Sequence, residues 1–162
     1  MVFNNKFYNS NVLYTDINSF KSLFPFIETG IIGYSVLGKP IPYIKIGNGP
    51  NKVLYAASFH ANEFITTNIL MKFTYDMANS FKSNFTIWGY NARNILAYAS
   101  IYIVPLINPD GVDLVTGSIN NGPIFNDAKR IASNYPEIPF PLGWKANIRG
   151  VDLNLQFPAR LV

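Results

Sequence analysis

The 162-residue sequence contains no cysteine and only one histidine. The absence of cysteine excludes disulfide bonds and thiolate metal ligands, and it leaves the redox compartment open. Charged residues are scarce, at 14% of the sequence. The sequence contains no run of 18 or more apolar residues, the length that a membrane-spanning helix needs. The polar start of the chain lacks the apolar stretch of a signal peptide. The sequence therefore predicts a cytoplasmic location and no membrane span.

Apolar residues, in contrast, are abundant: 49% of the sequence is hydrophobic and 15% is aromatic. One domain of this length can bury a real core, but so much apolar surface needs a further cover. A larger core, a partner or self-association through an uncovered apolar face would each provide it. The net charge is +4, yet lysine and arginine are scattered, so we expect no nucleic-acid partner. A mildly basic surface suits an acidic substrate.

The single histidine, His60, precedes Glu63 by three residues at a predicted strand-to-helix junction. Residues 52–57 form a short apolar run typical of a buried strand, and apolar residues recur with helical period over residues 62–79. His60 therefore lies at the carboxyl end of a strand, where α/β sheets bind ligands. An imidazole and a carboxylate both suit zinc. The alternative is that Glu63 is a first-turn acid favoured by the helix dipole and His60 a turn residue bonded to backbone.

The rest of the sequence predicts alternating strands and helices. The predicted elements are an irregular lead-in over residues 1–15, a helix capped by Asp16 that ends before Pro25, a hairpin of strands at 30–36 and 41–46, a strand at 99–104, a turn at 108–111, a helix at 126–134 and a strand at 149–154. Pro42 places the second hairpin strand at or near a sheet edge.

Long connections between strands indicate parallel neighbours. We therefore predict an α/β fold with a mixed, largely parallel sheet flanked by helices. The last predicted strand has almost no sequence after it. The sheet would then keep an uncovered apolar edge, so we expect the domain to be truncated.

Three segments in this order carry a family resemblance: His60-x-x-Glu63, Val-Pro-Leu-Ile-Asn-Pro-Asp-Gly at 104–111, and Gly-Val-Asp-Leu-Asn at 150–154. Together they resemble the zinc carboxypeptidase family, the carboxypeptidase A-like metallopeptidases. The resemblance covers the amino-terminal half of that catalytic domain, which gives residues 1–29 as lead-in and helix and residues 30–162 as the half domain. It implies a zinc cofactor and a peptide substrate.

The resemblance also implies roles for individual residues. His60 and Glu63 would be the first two of three protein zinc ligands. Asp152 would accept a hydrogen bond from the ligand histidine, which fixes its tautomer. Asn154 matches an asparagine that holds the terminal carboxylate of the substrate.

A cation is expected near the scissile carbonyl. Lys145 falls where the family usually has an arginine with this role, and Arg149 is the second choice. A lysine can stabilise an oxyanion as a point charge but lacks the bidentate fork of arginine. The segment 108–111 is expected to be a supporting turn. The third ligand, a histidine, and the general base, a glutamate, lie downstream in the family, and this sequence has no second histidine.

Leu155 stands where exopeptidases of the family usually have an arginine that grips the C-terminal carboxylate. An apolar side chain cannot make that contact, so ordinary carboxypeptidase specificity is not expected. Residues 143–158 most resemble the bacterial γ-D-glutamyl-L-diamino acid endopeptidases, which implies cleavage of γ-D-glutamyl-diaminopimelate bonds in cell-wall peptides. The alternatives are a metallocarboxypeptidase with altered C-terminal recognition and a non-catalytic peptide-binding remnant.

Overall fold

The structure is a computed structural model that describes residues 7–158. The helices and strands in chain order are α1 (Ser10–Leu23), β1 (Glu28–Tyr34), β2 (Pro40–Ile46), β3 (Asn51–Ala56), α2 (Ile65–Ser83), β4 (Thr86–Ile87), β5 (Tyr90–Asn91), α3 (Ala92–Tyr98), β6 (Ala99–Val104), α4 (Pro109–Val115) and α5 (Gly122–Ala132). Two short 3-10 turns, Ala61–Glu63 and Leu153–Leu155, complete the fold. No helix within residues 7–158 has the length and apolar character needed to cross a membrane.

The main sheet is mixed and has the strand order β1-β2-β6-β3. β1 and β2 form the predicted hairpin, β2 is antiparallel to β6, and β3 is parallel to β6. The mixed α/β sheet flanked by helices is thus confirmed. The prediction that it is largely parallel is not met by the described strands, because only β3 and β6 pair in parallel. Hydrogen bonds continue beyond β3 and β6, from Ala57 N to Val104 O at 3.0 Å and from Asn108 N to Ser58 O at 3.2 Å. The two strand ends are therefore held together where the predicted site lies.

Two clusters of buried apolar side chains form the core. The larger joins α1 and α2 to the sheet through residues such as Leu13, Phe20, Ile44, Met71 and Ile103. The smaller contains Ala61, Leu114, Val115, Ala128, Trp144 and Ile148, and it packs α4 and α5 against the segment around residue 60. Burial of these side chains favours folding by about 25 cal/mol per Å². Helix α1 packs in the same core as the sheet. The division of the chain into residues 1–29 and residues 30–162 stays a prediction.

Helix α1 begins earlier than predicted. Asn9 caps it by accepting a hydrogen bond from Val12 N at 3.0 Å, and asparagine is as good an N-cap as aspartate. Asp16 instead lies inside the helix and accepts a hydrogen bond from the Tyr8 hydroxyl at 2.5 Å. The prediction of an irregular segment up to residue 15 is therefore wrong over residues 10–15, and its first six residues lie outside the described part of the chain.

Two further predictions are corrected. Residues 149–154 form a loop and the start of a 3-10 turn, not a strand. Residues 108–111 are not an isolated turn, because Asn108 caps α4 and Pro109 is its first residue.

Pro42 lies in the strand next to the β1 edge, outside the segment Ile44–Ile46 that pairs with β6. Its missing N–H therefore removes no hydrogen bond to β6.

Helix α4 carries two buried acids that hold it to other elements. Asp110 accepts hydrogen bonds from the β1–β2 connection, including one from Leu37 N at 2.9 Å. Asp113 accepts from Ser10 N at 2.8 Å and from Ser10 Oγ at 2.6 Å, at the start of α1. Lys39 Nζ lies 2.6 Å from Asp113 and 3.6 Å from Asp110. We refer to Lys39, Asp110 and Asp113 as the buried acid cluster.

Candidate metal centre

A strained but well-bonded turn connects β3 to the segment that carries His60. Ser58 has a φ of +52°, which a non-glycine residue adopts only when its surroundings enforce it. Its hydroxyl lies 2.7 Å from Thr67 Oγ1 and 3.1 Å from Thr66 Oγ1, at the start of α2. Thr67 in turn donates to Pro105 O at 2.6 Å, just beyond β6. These contacts fix the position of the 3-10 turn Ala61–Glu63 relative to both strand ends.

The ring of His60 lies between two carboxylates. Its Nδ1 is 3.0 Å from Glu63 Oε1, and its Nε2 is 3.2 Å from Asp152 Oδ1. The side chain is 17% exposed, so it remains open to solvent on one side. Both ring nitrogens face side-chain oxygens, which argues against the alternative of a turn histidine bonded to backbone. The structure thus brings together three of the sequence-predicted residues.

This donor set fits zinc. A neutral imidazole carries one N–H. If Nε2–H donates to Asp152, the Nδ1 lone pair points toward the Glu63 carboxylate, and one nitrogen and one oxygen then face the same space. Zinc takes such nitrogen and oxygen ligands, and a catalytic zinc has three of them from the protein. No cluster of three or more His, Asp or Glu side chains within residues 7–158 has a geometry that could hold a metal, so this part of the chain provides a partial site.

Asp152 also holds the neighbouring Asn154, the predicted substrate-binding residue. It is the N-cap of the 3-10 turn Leu153–Leu155, and its Oδ1 accepts a hydrogen bond from Asn154 N at 3.0 Å. Asn154 lines a hollow of about 270 Å³ together with His60 and Glu63. Asn154, the predicted substrate-binding residue, therefore lies beside the predicted metal ligands. Leu155 is 74% exposed and offers no charge to a carboxylate.

The two predicted cations are exposed and lie in the loop that packs against the His60 turn. Within residues 7–158, neither Lys145 nor Arg149 forms an ion pair. The backbone oxygen of Lys145 accepts a hydrogen bond from Ala61 N at 2.9 Å, which joins this loop to the turn. Lys145 lines a separate apolar cavity beside the hollow. Its role as the oxyanion cation stays a prediction, and so does that of Arg149.

Asn108 belongs to the segment predicted to support the site, and the structure shows contacts of its side chain that sequence reasoning missed. It is buried, and its Nδ2 donates to Phe59 O at 3.2 Å and to Ala146 O at 3.0 Å. Its Oδ1 accepts from Gly111 N at 3.1 Å. One side chain thus joins the His60 turn, the Lys145 loop and α4. An asparagine directly before proline is an N-cap signal, so the sequence contained the helix start but not the two other contacts.

Comparisons with known proteins agree with this geometry. The zinc carboxypeptidase family model matches residues 13–161. γ-D-Glutamyl-L-diamino acid endopeptidase 1 of Lysinibacillus sphaericus is 45% identical over 156 residues, which cover 94% of this chain and 38% of the relative. Uncharacterized protein YqgT of Bacillus subtilis is 40% identical over 157 residues, which cover 95% and 41%. The chain thus spans about two fifths of the length of these curated relatives.

Solved structures show the same fold. Bovine thrombin-activatable fibrinolysis inhibitor, in complex with tick carboxypeptidase inhibitor, superposes with a TM-score of 0.60 at 19% identity, covering 88% of this chain and 37% of that one. Because the family model matches most of the sequence, and because the fold is shared, the chain belongs to the zinc carboxypeptidase family.

Proposed function

We propose that this chain carries the metal-binding edge of a zinc-dependent metallopeptidase that hydrolyses γ-D-glutamyl-diaminopimelate bonds in peptides derived from the cell wall. The observation that carries the proposal is the His60 ring, whose two nitrogens face Glu63 and Asp152. A relative 45% identical to this chain is a γ-D-glutamyl-L-diamino acid endopeptidase, which supports the substrate class. We also propose that the protein is located in the cytoplasm.

Each residue then has a distinct task. His60 and Glu63 hold the metal, and Asp152 keeps the proton on Nε2 so that Nδ1 is free to bind. When bound, zinc supplies Lewis-acid activation of a water molecule and of the scissile carbonyl. Asn154 contacts the substrate from the rim of the hollow. Lys145, or Arg149 as the second candidate, stabilises the negative charge that develops on the carbonyl oxygen.

Peptide binding without hydrolysis is the second candidate function. It is favoured by the partial metal site, since the described part of the chain brings no third ligating side chain to His60 and Glu63. A metallocarboxypeptidase with altered C-terminal recognition is less consistent with the site, because exposed Leu155 provides no positive charge for a terminal carboxylate.

Zinc binding is the first test of the proposal. Stoichiometry and affinity are measured by chelator competition on the 162-residue chain and on His60→Ala, Asp152→Asn and Glu137→Gln. We expect His60→Ala to abolish binding, and we expect Asp152→Asn to weaken it by about 10–100-fold, the usual effect of losing a partner of a ligand histidine. Glu137→Gln, which removes an exposed acid outside the site, serves as control. Equal zinc affinity in His60→Ala and the wild type contradicts the metal centre.

Hydrolysis is the second test. The zinc-loaded protein is incubated with L-Ala-γ-D-Glu-meso-diaminopimelate, and release of diaminopimelate is followed by mass spectrometry. Release that disappears in His60→Ala supports the peptidase. Binding of the peptide that needs no zinc and is unchanged in His60→Ala supports the second candidate function instead.

A further inference from the structure

The tripeptide Asn-Gly-Pro occurs twice in the chain, at residues 48–50 and at residues 121–123. An asparagine followed by glycine can lose its side-chain amide without an enzyme, because glycine has no side chain to hinder ring closure. The two copies have the same local chemistry, so a difference between them in the folded chain comes from their surroundings. We infer that Asn121 is a site of spontaneous deamidation and that the fold protects Asn48.

Deamidation at Asn121 needs only water as a co-reactant. The backbone nitrogen of Gly122 loses its proton and attacks Cγ of Asn121, while Nδ2 gains a proton and leaves as ammonia. The product is a five-membered succinimide ring, and water then adds to one of its two carbonyl groups. Breaking the bond from Cγ to the glycine nitrogen gives aspartate. Breaking the bond from the main-chain carbonyl carbon to that nitrogen gives isoaspartate.

The surroundings of Asn121 leave this reaction unhindered. Asn121 is exposed at the start of α5, and its side chain makes no capping hydrogen bond. Its Nδ2 donates at 2.9 Å to Oδ1 of Asn120, which is also exposed. Gly122 is the first residue of α5, so its N–H has no acceptor within the helix. A Cβ on Gly122 would meet no atom within 4 Å, so the peptide unit between the two residues can rotate without loss of packing.

Asn48 has the opposite surroundings. Its N–H donates to Leu96 O at 3.1 Å, and the glycine that follows it is buried. A Cβ on Gly49 would lie 2.0 Å from the backbone carbonyl carbon of Tyr98, so this peptide unit is packed against the residue before β6. Gly49 O also accepts a hydrogen bond from Ser100 Oγ at 2.7 Å. Ring closure at Asn48 therefore requires local unfolding around the start of β6.

The two products change the start of α5 in opposite ways. A carboxylate at position 121 lies at the positive end of the helix dipole and can accept a hydrogen bond from the N–H of Ile124. Isoaspartate instead adds one carbon atom to the main chain before Gly122, which displaces the cap from the helix. Helix α5 contributes Ala128 to the smaller core cluster and Ile131 to the apolar cavity that Lys145 also lines. Deamidation therefore alters the anchoring of a helix that packs beside the candidate metal centre.

The test compares the two copies in the folded and in the unfolded chain. The 162-residue chain is incubated in mildly alkaline buffer with and without urea, and peptide mapping by tandem mass spectrometry follows the conversion of each asparagine. In urea we expect similar rates at both positions. Without urea we expect Asn121 to react at least roughly tenfold faster than Asn48, because Asn48 reacts only in locally opened molecules. Asn121→Gln disfavours ring closure by lengthening the side chain, so it should abolish the reaction at position 121 and leave Asn48 slow.

Three results would overturn this assignment. Equal rates without urea, or a faster reaction at Asn48, would show that the fold does not protect Asn48. A rate at Asn121 that falls as far as that at Asn48 when urea is removed would show that the start of α5 is also protected. Rates in urea that differ as much as those without urea would place the cause in the local sequence. All of these results leave the zinc and hydrolysis measurements unaffected.

Discussion

At the scale of single residues, Asn108 has three separate contacts, and each belongs to a different part of the site. Its side-chain oxygen Oδ1 caps α4, and its side-chain nitrogen Nδ2 donates to the backbone oxygens of Phe59 and Ala146. Gly111 makes this possible, because a Cβ there would lie 2.6 Å from Asn108 Nδ2 and 2.7 Å from Ala146 O. Asn108 is therefore a positioning residue for the loops that carry His60 and Lys145.

Asn108→Asp separates the cap from the other two contacts. Aspartate retains an oxygen for Gly111 N, but it loses the amide donor and turns a carboxylate toward two carbonyl oxygens. We expect amide hydrogen exchange to accelerate at Ala61 by at least roughly tenfold more than at Ile103 in β6. Exchange at Ile103 reports the change in global stability. Zinc affinity should fall in parallel.

Asn121→Asp is the matched control for this experiment. Asn121 is the exposed N-cap of α5 and its side chain makes no capping hydrogen bond, so the same substitution should leave Ala61 exchange unchanged. Unchanged Ala61 protection in Asn108→Asp would show that Asn108 only caps a helix.

At the scale of secondary-structure elements, the buried acid cluster determines how α4 is held against α1 and the β1–β2 connection. Asp113 accepts two hydrogen bonds from Ser10 and pairs with Lys39. It also acts on Tyr14 of α1: burial first, and then the negative charge of Asp113, raises the pKa of the Tyr14 hydroxyl to about 12. The carboxylate therefore joins α4 to two other elements, α1 and the β1–β2 connection.

Asp113→Ala should destabilise the fold strongly. It leaves Lys39 without its closer acid and leaves the Ser10 N–H and hydroxyl without an acceptor in a buried setting, and such losses typically lower the free energy of unfolding by about 3 kcal/mol. Urea denaturation measures the change. Asp127→Ala is the control, because Asp127 forms an exposed pair with Arg130 at 3.3 Å and such pairs contribute at most about 1 kcal/mol. Similar midpoints for the two variants would contradict a structural role for the cluster.

The elements also show what the sequence could predict. The strand at 99–104 and the strand-to-helix junction at His60 were predicted correctly, because a short apolar run and a helical period are local signals. The strand expected at 149–154 was wrong because contacts with Asn147 override the local pattern. Asn147 N donates to Val151 O at 2.8 Å, and its Oδ1 accepts from Val151 N at 3.1 Å, so the chain folds back on itself.

The candidate site depends on longer-range contacts. His60 and Asp152 are 92 positions apart, and no local period brings them together; only the resemblance to a family predicted their contact. The cavity wall and the contacts of Asn108 also join segments that are distant in the sequence. Local patterns thus predicted the strand-to-helix junction that carries His60 and Glu63, and the tertiary structure was needed to show which site residues meet.

At the scale of the whole molecule, the sheet ends in an exposed edge at β3. Leu54 is 66% exposed and Tyr55 is 45% exposed, and Ile69 of α2 is 63% exposed beside them. A groove of about 410 Å³ lies between this strand and α2. The backbone N–H and C=O groups on an open edge favour pairing with another strand, and the apolar side chains around it favour burial.

We expect a second copy of the chain to cover this edge, which is one of the three covers that the high apolar content of the sequence left open. A two-fold pairing of antiparallel β3 strands would place its axis near the middle of the six-residue strand Asn51–Ala56. Leu54 would then lie close to its own counterpart, so Leu54→Lys brings two positive charges together at the axis and should shift the equilibrium to monomer. Ile32→Lys, which changes an exposed apolar residue on β1 at the opposite edge of the sheet, should leave association unchanged. Sedimentation velocity across a range of concentrations measures both variants, and a wild-type chain that remains monomeric throughout would rule out association through β3.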